Sequence, residues 1–196
     1  MIKAKFINKR IDYTGEQLSS LWIYKNTGFL GDAITSFTGK AEVSDHMVDM
    51  EDVLKKEFIY SENMLHFIIE HFDQDLEKAV LRQRMLICII KELLASGLWR
   101  KGHGKADKST VLDRQGDDLY YNKRKLSVSI ATLSPVSSLI HVGLNISSKN
   151  TPVPTIGLNE LMPEADLPDF ARSVMSLYVM EMRDINTARC KVKGVA

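Results

Sequence analysis

The sequence predicts an α+β domain, with a mixed, largely antiparallel sheet and helices packed on one face. Three observations carry this expectation. Segments of strand and helix character follow the order strand, helix, strands, helix, strands, helix. The longest β-rich stretch, residues 119–147, reads as an antiparallel hairpin, not as strands joined by crossover helices. The chain has 196 residues, 44% of them hydrophobic. That is enough for one buried core, and no repeat, low-complexity tract or linker divides it, so residues 1–196 are read as a single domain.

The elements follow in order. "IKAKFI" alternates apolar and polar residues as a half-buried strand does. In "TGEQLSSLWIYKNTG", Thr14 and Gln17 have capping-box spacing, Leu18, Leu21 and Trp22 share a helical face, and Gly28 ends a short helix. "GDAITSFTGKAEV" has the β-branched and aromatic content of a strand. "SDHMVDMEDVLKKE" is ambiguous, being charged with a weak helical period. "NMLHFIIEHF" reads as a strand. Asp73 to Asp75 then cap a long helix in which Leu76, Ala79, Val80, Ile87, Ile90 and Leu94 recur at helical spacing, and Gly97 ends it. A charged loop follows, then "LYY" as a strand, "NK" as a turn, and the hairpin. "SSKNTPVPTIG" is a loop. In the final helix Phe170, Val174, Leu177 and Tyr178 form one stripe, with Asp166 as its cap.

Composition excludes several classes. The formal net charge is +1, so no basic footprint points to nucleic acid. No stretch reaches the ~18 apolar residues of a membrane span, and "MIKAKFINKR" has no secretory apolar region. The two cysteines, Cys88 and Cys190, have no metal-ligand spacing and form no disulfide framework. Cys88, in "MLICII", suits a buried free thiol. A cytoplasmic setting is expected, with neither nucleic acid nor membrane as a partner.

The hairpin "RKLSVSIATLSPVSSLIHVGLNIS" has two unlike faces. One carries Leu126, Val128 and Ile130 with Ile140, Val142, Leu144 and Ile146. The other carries Lys125, Ser127, Ser129 and Ala131 with His141, Gly143 and Asn145. Both small-polar faces coincide if Ser127 opposes Asn145, Ser129 opposes Gly143 and Ala131 opposes His141. Small residues on a strand face leave room for something to lie flat on it. Lys125 at the margin can pair with a carboxylate or phosphate, Asn145 both donates and accepts, and His141 can move a proton near neutral pH.

"RKL" (Arg124, Lys125, Leu126) and "HVGLNIS" (His141 to Ser147) resemble motifs of the biotin and lipoate protein ligases and octanoyltransferases. The catalytic domains of that group are related to class II aminoacyl-tRNA synthetases. The resemblance spans about residues 58–150, including "LHFIIEHF" and the long helix. "HMVDMEDV", "MLHFIIEHFD" and "KLSVSIAT" are more similar to a prokaryotic family of unknown function with this fold. The resemblance implies an acyl-adenylate-forming or acyl-transfer enzyme acting on a small carboxylate, with ATP and magnesium as cofactors and an acyl-acceptor protein as partner. It implies that Lys125 stabilises charge at the acyl carboxyl, and that Gly143 and Asn145 lie beneath the bound group. Two features depart from the group. "NTGFLGDAITSFTGKAEV" has no arginine and no Gly-Gly run where an adenylate loop would lie. "TPVPTIGL" has Thr155 but no cysteine, which excludes a thioester acyl-enzyme there.

The expected site is therefore Lys125 as catalytic residue, with Ser127, Ser129, His141, Gly143, Asn145, His66 and Glu70 binding substrate, and no resident metal. Two other readings remain open. One is a non-catalytic small-molecule binder on the same fold. The other is a metal-dependent hydrolase using His46, His66 and His71, although His66 and His71 lack the i,i+4 spacing of a zinc helix. Asp45, Asp49 and Asp52 are spaced to share a helical face, and a Mg²⁺ site would need them to converge.

Overall fold

The computed structural model describes residues 1–96, 111–163 and 166–195. The main strands are β1 (Lys3–Arg10), β2 (Ala33–Val43), β3 (Ile59–His71), β7 (Ser127–Leu133) and β8 (Ser138–Asn145). They pair in the order β1-β2-β3-β8-β7. β1 runs parallel to β2 and every other pair is antiparallel, so the sheet is mixed and largely antiparallel as expected. A small second sheet joins β4 (Asp113–Gln115), β5 (Asp118–Tyr121) and β6 (Arg124–Lys125). Asn122 and Lys123 turn β5 into β6 with φ of 49° and 63°, the left-handed pair of a tight hairpin turn.

Two long helices cover one face of the sheet. In α3 (Leu76–Ser96), Leu86, Ile87 and Ile90 are fully buried; in α5 (Leu167–Cys190), Phe170, Val174 and Tyr178 are. They form the main core with Leu65, Phe67 and Ile69 of β3 and with Ile140, Val142 and Leu144 of β8. Asp75 starts α3 by accepting from the Lys78 N–H at 2.9 Å, and Asp166 starts α5 through Asp169 at 3.1 Å. The expected stop at Gly97 lies outside the described residues. Cys88 is half-buried, not fully buried as its apolar run suggests, because the middle of α3 keeps one side open.

The opposite face carries a second, smaller core built on Tyr13, Ile23, Phe37 and Ile68. α1 (Trp22–Thr27) contributes Ile23. This helix is shorter than expected: Gln17 does bond the Thr14 N–H at 2.9 Å, but the pair fixes a turn ahead of the helix. Gly28 closes α1 with φ 75°, as expected. At Gly39 a Cβ would stand 1.8 Å from the Ile11 carbonyl, so that close strand-to-loop approach requires glycine. The ambiguous acidic stretch resolves into α2 (Met50–Lys55), capped by Asp49, with no buried residue of its own. A short helix, α4 (Leu158–Leu161), precedes α5.

The register of the β7–β8 hairpin differs from expectation by one residue. Ser127 opposes Leu144, Ser129 opposes Val142 and Ala131 opposes Ile140; Val128 opposes Gly143 and Ile130 opposes His141. Serine and aliphatic residues therefore share a face. The serines tolerate this because each hydroxyl is satisfied from the small sheet. Ser127 Oγ accepts from the Leu119 N–H at 2.9 Å, and Ser129 donates to Asp117 at 2.8 Å. Matching faces by polarity fails when side chains from another element supply the polar partners.

Candidate functional site

Alternation along the hairpin breaks at Leu126, which belongs to no strand and is fully buried in the main core. As a result Lys125 and Val128 both line one hollow, on the face of the sheet away from α3 and α5. The hollow encloses about 330 Å³. Met64, Val128, Ile130 and His141 supply part of its floor, and Tyr13 and Ser61 part of its wall. The rim is formed by α2 and its lead-in, by Glu57 and Phe58, by Asp117 and Asp118, and by the loop at 151–155. Backbone bonds fix Lys125 against that loop: its N–H donates to Pro154 O and its carbonyl accepts from Ile156, both at 3.0 Å.

The floor holds a paired-histidine device. His66 Nε2 lies 3.4 Å from the Gly39 carbonyl, which can only accept, so Nε2 carries the hydrogen. His66 Nδ1 then accepts from His141 Nε2–H at 3.1 Å, and His141 Nδ1 is left as an unprotonated acceptor. Burial drives the His66 pKa down to about 4. Burial, and then the neighbouring His66, push His141 well below the ordinary histidine value. Both rings are neutral at pH 7. The Tyr13 ring stacks on His141 with centroids 3.7 Å apart, and burial pushes its hydroxyl far above the usual tyrosine range.

The rim is acidic. Asp49, Asp52, Glu57, Asp117 and Asp118 line it, and Lys125 is the one Lys or Arg among the described lining residues. Lys125 Nζ lies 2.9 Å from Asp118. Burial works against its ammonium, but the hydrogen bond and charge of Asp118 outweigh it and raise the pKa above the ordinary lysine value. Asp117 is held by Arg84 at 2.8 Å. Burial, then the charges of Asp49 and Glu57, raise the Asp52 carboxyl. Three side-chain hydroxyls among the described residues are buried without a partner, those of Thr35, Ser36 and Ser61; of these, Ser61 lines the hollow.

The structure brings together Lys125, Ser129, His141 and Asn145 around this hollow. Asn145 is buried, and its Nδ2 donates to the Lys125 carbonyl at 3.4 Å. His66 stands behind His141 instead of lining the hollow. Ser127 faces the small sheet. Gly143 is not open floor, since Met64, Val128 and His141 side chains crowd the space a Cβ would take. Glu70 lies elsewhere, where its carboxylate accepts from the Leu21 N–H at 3.0 and 3.1 Å and from the Ser137 hydroxyl at 2.7 Å. His46, His66 and His71 do not converge. His46 sits exposed beside Glu16, and His71 is tied to Asp32 and Tyr178. Among the described residues no group of three or more His, Cys, Asp or Glu is placed to hold a metal ion. Asp45 lies outside α2, so the three expected aspartates do not share a helical face. Sequence reasoning missed Tyr13 and Ser61, which reach the hollow only through the fold, and Asp118, which meets Lys125 across the β5–β6 hairpin.

Comparison with known proteins places this geometry among relatives. The family described as "Domain of unknown function (DUF366)" matches residues 2–193. An uncharacterised protein of Methanocaldococcus jannaschii is 37% identical over 187 residues, covering 92% of this chain and 79% of the relative. A solved structure, a protein of unknown function from Pyrococcus horikoshi, is 36% identical with a TM-score of 0.87, and each chain is covered fully. A biotin protein ligase from Aquifex aeolicus is 14% identical with a TM-score of 0.57, over 93% of this chain and 69% of that one. A lipoate-protein ligase A bound with ATP is 10% identical with a TM-score of 0.56, over 92% and 86%. The two ligases show the fold alone, and that fold is the biotin/lipoate-ligase-like one. No helix among the described residues is long and apolar enough to cross a membrane.

Proposed function

This chain belongs to the DUF366 family, and from that premise we propose that it is a small-molecule-binding protein whose ligand sits in the hollow under α2. One observation carries the reading. The Ser61 hydroxyl is buried in the wall of a 330 Å³ hollow with no protein partner. A buried polar group without a partner marks a place that a ligand or water satisfies. Lys125, His141 and Asn145 supply the remaining polar contacts, and Tyr13, Met64 and Val128 supply apolar surface. The volume suits a small ligand.

Mass spectrometry of the denatured protein tests this directly. A stoichiometric small molecule is expected from the wild type and not from Val128→Trp, which fills the hollow. Equal recovery from both would remove the hollow as the site.

Lys125 favours a second reading, acyl-adenylate formation or acyl transfer on a small carboxylate. Its ammonium stays charged, and its Nζ has donors beyond the one given to Asp118. A nucleotide fits poorly, however. Its phosphates would meet Asp49, Asp52, Glu57 and Asp118 with Lys125 as the one cation among the described lining residues. The residues around the hollow therefore fit ATP poorly, and only acyl transfer would call for an acyl-acceptor protein. Pyrophosphate release from ATP and magnesium with lipoate or octanoate, abolished in Lys125→Ala, is the outcome that would establish it.

A further inference from the structure

We propose that the hollow selects an organic cation, a primary amine or guanidinium carried on a short apolar frame. The proposal rests on the hollow being the ligand site and adds the charge class of the ligand.

Two independent features point the same way. The first is the hydrogen-bonding inventory of the floor and wall. The Gly39 carbonyl fixes the tautomer of His66, and through it leaves His141 Nδ1 as a bare acceptor. The Ser61 hydroxyl, 2% exposed and without a partner, can take a proton donor from a ligand. A ligand satisfies both by presenting N–H groups. A carboxylate, which only accepts, leaves the His141 lone pair facing another lone pair.

The second feature is the rim. Asp49, Asp52 and Glu57 come from one short segment, and the charges of Asp49 and Glu57 act on Asp52 against a smaller opposing effect of Lys125 and Lys55. Lys55 is bonded to Glu51 at 2.6 Å, and Lys125 is held by Asp118 at 2.9 Å. One oxygen of Asp49 serves the α2 N-terminus, taking the Glu51 N–H at 2.8 Å. The other oxygen of Asp49 is not used in that cap. The segment's neighbourhood already accommodates a cation, since the Lys40 ammonium stands 5.0 Å from the Tyr60 ring centroid. Phe58, Tyr60 and Met47 add apolar surface suited to the carbon frame of an amine. An anionic ligand entering past this rim would be repelled by each of its carboxylates and attracted by Lys125 alone among the Lys and Arg of the described lining residues.

Titration calorimetry of the full chain at low ionic strength tests the proposal, with agmatine and spermidine as cations that carry N–H groups, choline as a cation that carries none, and octanoate and ATP–magnesium as anions. Agmatine or spermidine is expected to bind saturably, more tightly than choline, and to weaken as salt is raised. Asp52→Asn combined with Glu57→Gln should weaken that binding by about tenfold or more, whereas Glu51→Gln, off the hollow, should not. Asp52 is half-buried and Glu57 exposed, and neither belongs to the core, so the test does not depend on a buried substitution folding. Binding of an anion with no cation binding overturns the proposal while leaving the hollow as the site if Val128→Trp abolishes that binding. Cation binding that survives both the rim changes and Val128→Trp overturns the hollow itself. No binding by any probe, with no small molecule released on denaturation, overturns both.

Discussion

β3 carries two buried histidines, one in mid-strand and one at its end, and the two keep opposite company. His71 is flanked by a carboxylate and a phenol: Nδ1 lies 3.0 Å from Asp32 and Nε2 2.9 Å from the Tyr178 hydroxyl. His66 is flanked by a backbone carbonyl and a second imidazole. Five residues apart on a strand, they fall on opposite faces. At the His71 end every ring nitrogen has a protein partner, and Asp32 also caps the Phe72 N–H at 2.9 Å, which gives a closed strut between sheet and α5. At the His66 end the chain of bonds runs out at His141, with a lone pair left over beside a hollow. A histidine next to a carboxylate completes a structure, whereas a histidine next to a neutral ring can pass on an unmet demand.

Acid should break this symmetry, with the largest effect at the open end. His66 titrates at about 4 in the folded protein against ~6.5 unfolded. The unfolded chain therefore binds the proton first as pH falls. Stability is fully present above pH ~6.5 and is lost between there and pH ~4, by roughly 3 kcal/mol from His66 alone. His141 is depressed in the same direction and steepens the loss. Urea unfolding at pH 7.5 and 4.5 measures it, and His66→Leu should flatten the slope. A slope unchanged in that variant would mean that the pair does not carry it.

The closed end is next in size. Glu70, one residue from His71, is 2% exposed and holds the Leu21 N–H and the Ser137 hydroxyl. Glu70→Ala should cost about 2 kcal/mol by leaving those donors without partners, read as a fall in urea midpoint at constant slope. Asp32→Asn should cost less, about 1 kcal/mol, because its side chain is 43% exposed and water replaces part of the interaction. The hydrogen bond from His71 holds the Asp32 carboxyl down to about 2. Its contribution is present above the unfolded value of ~3.9 and disappears as pH falls toward 2. That window lies below the one belonging to His66, so the two ends separate in a single acid titration.

How far the sequence foretold these ends differs. Periodicity located α3 and α5 and their aspartate caps, and turn chemistry located Asn122 and Lys123, because each is a local signal. The strand at His66 and His71 was legible, but the partners were not. Tyr13, Gly39 and His141 reach His66 only through long-range pairing. The hairpin register was misread for a similar reason. Ser127 and Ser129 read as part of a ligand-facing trough until Leu119 and Asp117 arrive to bond them. Lys125 does line the hollow, although the break at Leu126 that aims it there leaves no mark in the alternation.

Lys125→Met gives the smallest change in stability and the sharpest change in meaning. Its ion pair with Asp118 involves side chains 30% and 24% exposed, so water screens the pair and methionine keeps the aliphatic stem packed; the net effect should stay within about 1 kcal/mol. Its effect on ligands turns on sign. Removing the ammonium releases Asp118 and leaves the rim uniformly acidic. If the hollow takes an amine, agmatine or spermidine should bind the variant at least as tightly as the wild type. If Lys125 instead meets a carboxyl group, octanoate binding should disappear in the variant and the cations should show no gain. Calorimetry on the two proteins separates these outcomes, because a single positive charge is subtracted while the His141 acceptor and the Ser61 hydroxyl stay in place.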